Sequence, residues 1–139
     1  VAVYGKLTFD KTANVCPYVT FMAAGGRDTT EGNVDAVEIK GETVFQHNVE
    51  VYSRSNILIV DGTSVVGFTP TKSFRAQLDP ALGGSSFLAK NKIEIDNRNV
   101  GFEMNMAGIF WAAGAEGGGI SFSTRPNGNK ITIKGVFIC

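Results

Sequence analysis

The feature that most constrains this chain is a two-residue alternation of apolar and polar side chains, repeated in short runs separated by turn residues. Val1, Val3, Leu7 and Phe9 fall on one side of an extended segment, with Tyr4, Lys6 and Thr8 on the other. The run from Tyr18 to Ala23 continues in the same manner after Cys16-Pro17. Val37 and Ile39 oppose Glu38 and Lys40, and further on Phe45, His47, Val49 and Val51 share a face. Such alternation is what a half-buried strand requires. Ile57-Leu-Ile-Val60 and Gly108-Ile-Phe-Trp-Ala112 are more continuously apolar and read as buried strands.

Turn chemistry punctuates these runs. Gly25-Gly26, Gly83-Gly84 and Gly117-Gly118-Gly119 mark sharp turns. Asn127-Gly128 stands between two alternating segments and predicts a hairpin joining 120–123 to 130–138. A second hairpin is expected from 92–96 through Asn97-Arg98-Asn99 into 100–106. Asp79-Pro80 suits the start of one short helical turn, and Gly83-Gly84 stops it. No segment has a 3.6-residue period. Roughly ten to twelve short strands predict an all-β fold. The expected architecture is a single domain over 1–139, a two-sheet antiparallel β-sandwich of jelly-roll or immunoglobulin-like type. Asn-Val recurs at Asn14, Asn33, Asn48 and Asn99, but its irregular spacing gives no repeat.

The 139 residues are enough to bury a core, and the 43% hydrophobic and 19% charged content is that of a globular chain. Net charge is zero and the basic residues are scattered, which argues against a nucleic-acid partner. No apolar stretch approaches the ~20 residues of a membrane-spanning helix. Val1-Ala-Val-Tyr4 reads as a mature terminus left after removal of a leader, with a trimmed chain as the alternative. The two cysteines, Cys16 and Cys139, are expected to pair. Their loop would span most of the chain and add about 4–5 kcal/mol of stability. A disulfide implies an extracellular or cell-surface location, with a virion surface as the alternative.

Catalytic constellations are weak. His47 is the one histidine, and its place on an apolar strand suits a packed residue better than a general base. No Gly-x-Ser-x-Gly elbow is present. Glu94 and Asp96 lie two apart on a strand opposite Ile93 and Ile95, as on a solvated face. One His and two distant Cys do not make a zinc site, and 96–99 lacks the glycine and terminal Glu of a calcium loop. The glycine-rich 114–119 contains Glu116 and leads into no helix, so it reads as a loop or a close backbone approach. No catalytic, cofactor-binding or metal-ligating residue is therefore assigned. Trp111 reads as core; were it exposed, it would be the candidate for stacking on a sugar.

Gly5-Lys-Leu-Thr-Phe9, followed by Cys16, resembles the first strand of chaperone–usher pilins over about a tenth of the chain. Here the second Cys is the last residue and only four residues precede Gly5, which departs from that pattern. The resemblance implies a filament subunit. Together these features predict a non-enzymatic extracellular structural subunit that self-assembles into a pilus, fibre or sheath-like filament. Strand edges at Val1, Val3, Tyr4, Val136 and Phe137 would pair between copies. The alternatives are a viral or phage jelly-roll coat or fibre-head protein, and a small lectin or tip adhesin binding a glycan or cell-surface receptor through Trp111.

Overall fold

In a computed structural model the chain is all-β, and its strands are parallel. The structure describes residues 1–10, 14–15, 18–25, 34–40, 43–45, 48–60, 64–65, 85–97, 104–114, 118–124 and 131–139. Fourteen strands occur among them: β1 Ala2–Val3, β2 Leu7–Phe9, β3 Asn14–Val15, β4 Thr20–Ala23, β5 Asp35–Ile39, β6 Val44–Phe45, β7 Glu50–Ser53, β8 Asn56–Val60, β9 Ser64–Val65, β10 Ser85–Ala89, β11 Ile93–Asn97, β12 Met104–Ala112, β13 Ile120–Thr124 and β14 Ile131–Ile138. The chain coils, and each coil lays its strands on those of the coil before.

The first strand of each coil stacks in the order β1, β4, β7, β10, β12 and β14. The second stacks as β2, β5, β8, β11 and β13, and the third as β3, β6, β9 and the beginning of β12. β12 thus runs through a corner: Asn105 continues the third stack while Gly108–Ala112 continue the first. Gly108 sits at that corner with φ of 143°. A Cβ on Gly108 would overlap the Ser85 carbonyl below it, and one on Gly135 would overlap the Gly108 carbonyl. Only glycine permits the backbones to approach so closely.

Inward side chains form columns. Phe21, Val51, Phe87, Phe110 and Phe137 lie in one register, and Phe9, Ile39, Ile59, Ile95 and Phe122 in another. Phe87 and Phe110 stack with centroids 5.2 Å apart and planes 4° apart, and Phe110 continues onto Phe137 at 5.3 Å. Phe45 meets Phe87 edge to face at 5.5 Å and Phe9 at 5.3 Å. Each aromatic pair adds about 0.5–1.5 kcal/mol to the burial of its rings. A polar corner interrupts the apolar interior between the first and second stacks. There Ser53 Oγ donates to the Asn56 carbonyl at 2.8 Å, and Asn91 Nδ2 donates to Asn56 Oδ1 at 3.0 Å, all buried.

The antiparallel sandwich is therefore corrected. β13 and β14 flank the expected Asn127-Gly128 hairpin yet do not pair; β13 lies beside β11 and β14 beside β12. β11 and β12 likewise belong to different sheets. A turn signal tells that the chain changes direction, and a corner between coil faces satisfies it as well as a hairpin. Residues 125–130, the Asp79-Pro80 turn and His47 lie outside the described residues. The expected Cys16–Cys139 bridge is corrected too. No disulfide is formed, and Cys139 is an exposed free thiol. β3, which ends just before Cys16, is four strand spacings from β14 in the sheet, about 19 Å, against the ~7 Å limit between bridged Cα atoms. Cys16 itself lies outside the described residues.

Candidate functional site

The outward faces of the first and second stacks differ in chemistry. On the second stack the outward register is Thr8, Glu38, Leu58, Glu94 and Ser121. Glu38 there pairs with both Lys6 and Lys40, and Glu94 with Lys92 at 3.1 Å. Burial pushes the Glu38 carboxyl up, but the hydrogen bonds and charges of Lys40 and Lys6 outweigh it and hold the pKa below its ordinary value. This is an ordinary solvated face.

The first stack is different. Its central outward register is Ala2, Met22, Tyr52, Leu88, Trp111 and Ile138, one residue from each coil. Met22, Trp111 and Ile138 are 53%, 43% and 49% exposed. With strand spacings of ~4.8 Å, this stripe is about 24 Å long. An apolar residue facing water in every coil is not what an alternating strand needs for folding, because the inward column already supplies the core.

Polar groups flank the stripe asymmetrically. To its N-terminal side along the strands lie the polar Thr20, Glu50 and Ser86, followed by the apolar Ile109 and Val136, and Thr20 Oγ1 donates to Glu50 Oε2 at 3.0 Å. To its other side lie Arg54 and Lys90, held beside one another by the backbone bonds Arg54 N to Ala23 O and Lys90 N to Ser53 O, both 3.0 Å. Arg54 and Lys90 border a groove of about 450 Å³ whose floor includes Met22, Tyr52, Leu88 and Trp111.

Trp111 is thus not a core residue. Its neighbour Phe110 is fully buried while Trp111 projects outward. Sequence reading placed both inside because a strand apolar on each face has no visible alternation. It also missed Met22, Tyr52 and Leu88, whose kinship lies in register between coils and not in local spacing. The candidate assembly edges sit at opposite ends of the stack. Val3 lies in β1, which pairs with β4; the Val1 ammonium donates to the Thr20 carbonyl at 2.7 Å, and Tyr4 is exposed. Val136 and Phe137 lie in β14, which pairs with β12, and Phe137 touches Phe122 edge to face at 5.6 Å. Among the described residues no group of three or more His, Cys, Asp or Glu is placed to hold a metal. No known protein family, curated protein or solved structure matches this chain.

Proposed function

We propose that this protein is a non-enzymatic structural subunit that associates with copies of itself through the outward face of its first strand stack. The observation that carries the reading is the stripe Met22, Tyr52, Leu88, Trp111 and Ile138, apolar in coil after coil while the neighbouring face is charged. Covering such a stripe removes apolar surface from water, which drives association. The lateral face, and not the strand edges at β1 and β14, carries the reading because it is complete within the described coils.

Light scattering coupled to size-exclusion chromatography tests it. The wild-type mass is expected to rise with concentration, and Leu88→Glu or Trp111→Glu is expected to hold the chain at monomer mass with its far-ultraviolet circular dichroism unchanged. A wild-type mass that stays monomeric to the highest attainable concentration overturns the reading.

A second reading has its own observation. The exposed Trp111 ring beside the Lys90-bordered groove suits stacking on a sugar with polar contacts at the rim. Binding on a glycan array that is lost in Trp111→Ala supports it; an empty array removes it.

A further inference from the structure

The flanks of the apolar stripe specify how a second copy would lie on it, given the self-association proposed above. Glu50 and Arg54 belong to the same coil, on either side of Tyr52. They are four residues apart in extended chain, about 13 Å, and so do not pair with each other. The next coil repeats the asymmetry more weakly, with neutral Ser86 on one side of Leu88 and Lys90 on the other. Acid therefore lies to one side of the stripe and base to the other, at matched height.

Two ways of laying a copy face to face can be compared. Turning it about an axis that runs along the strands keeps each flank over its own kind. Arg54 and Lys90 then meet the partner's basic flank, and like charges oppose one another across the contact. Turning it about the long axis of the coil exchanges the flanks. Each Glu50 then meets the other copy's Arg54 in the same coil, while Tyr52, Leu88 and Trp111 meet their own counterparts along the axis. Cyclic symmetry about the coil axis gives this match whether the assembly has two members or three.

We infer that copies of this chain associate side by side with their coils parallel and in the same register, each Glu50 facing the other copy's Arg54 across the Tyr52–Trp111 stripe. Opposite charges at the rim of an apolar contact fix register and orientation. A stripe ~24 Å by ~13 Å is small beside standard interfaces of about 800 Å² per partner, so the association is reversible.

The test is a charge-swap series read by sedimentation equilibrium over a wide concentration range. Glu50→Arg and Arg54→Glu are each expected to weaken association by about tenfold or more, and the double variant E50R/R54E to recover most of the loss. Both sites are exposed on the outer face, and circular dichroism verifies that each variant is folded. The conservative pair Glu50→Gln and Arg54→Gln gives a second reading, each weakening association by a smaller factor. If the wild type associates but the double variant is no tighter than either single one, the parallel register is overturned and self-association stands. If the wild type does not associate, both fall. Loss of association in Leu88→Glu together with indifference to every charge change assigns the stripe to self-association in another orientation.

Discussion

Asn91 donates its side-chain amide to the side-chain carbonyl of Asn56, one coil away, at 3.0 Å in a fully buried corner. The same residue takes part in two backbone bonds between coils: its N–H donates to Ser55 O at 3.2 Å, and its carbonyl accepts from Gly114 N at 3.0 Å. A corner where three coils meet is thus tied together by one residue, through its side chain and its backbone.

Asn91→Ala removes the amide bond from that corner and should lower stability by about 1–3 kcal/mol. Urea unfolding followed by circular dichroism measures it. Gly118→Ala acts on the same corner from above, since its Cβ would come within 2.6 Å of Asn91 Oδ1 and 2.7 Å of Asn91 O. A loss of about 1–3 kcal/mol is expected there too.

The glycines where β12 and β14 turn the corner should be far less tolerant. Gly135→Ala would overlap the Gly108 carbonyl, and Gly108→Ala the Ser85 carbonyl at a φ of +143°. Each is expected to cost about 3 kcal/mol or more. Gly5→Ala is the control, because nothing lies within 4 Å of its added Cβ. It should leave the urea midpoint nearly unchanged.

Among the packed aromatic rings, burial decides the effect. Phe87 is fully buried between Phe45 and Phe110, so Phe87→Ala should cost about 3–5 kcal/mol. Phe122, 48% exposed and touching Phe137, should lose less than half of that on the same change. Thermal or urea unfolding of the two variants side by side checks the ratio.

Acid should act through Glu38. Burial raises its carboxyl, but Lys40 and Lys6 bring its folded-state pKa below the ordinary value of 4.5. The folded state thus binds this proton less readily than the unfolded chain. The stabilisation is complete above the ordinary value and is lost as pH falls through the lowered one. Lys40 is shifted in the complementary sense, raised by its hydrogen bond to Glu38, so its share fades only as pH rises through its raised value. Glu38→Gln should lower the urea midpoint at neutral pH and flatten its fall on acidification.

The strands themselves were legible: Ile93 and Ile95 inward with Glu94 outward, or Val37 and Ile39 against Glu38, follow from local alternation. Their pairing was not. Ala2 to Met22 is a short coil and Tyr52 to Leu88 a long one, so residues that stack keep no constant spacing in the sequence. An irregular Asn-Val spacing thus gave no hint that Asn14 belongs to a third strand while Asn48 leads into a first strand with φ of 55°. The same irregularity concealed the stripe, since Met22, Tyr52, Leu88 and Trp111 become neighbours only once the coils are stacked. The disulfide expectation failed for a related reason. It took the two ends of the chain to be close, whereas coiling carries them to opposite ends of a stack.

Coils of unequal length joined by paired parallel strands have a kinetic consequence. Strands inside the stack are held by a coil on either side and the end strands by one alone, so order is lost from the outermost coils inward and regained from a seed outward. Closing the long stretch from Tyr52 to Leu88 costs little more than closing a short one, because loop entropy grows only with the logarithm of length. Amide protection against solvent exchange should therefore peak around Ile59, Phe87 and Ile95 and decline toward β1 and β14, a gradient along one axis in place of a single global value.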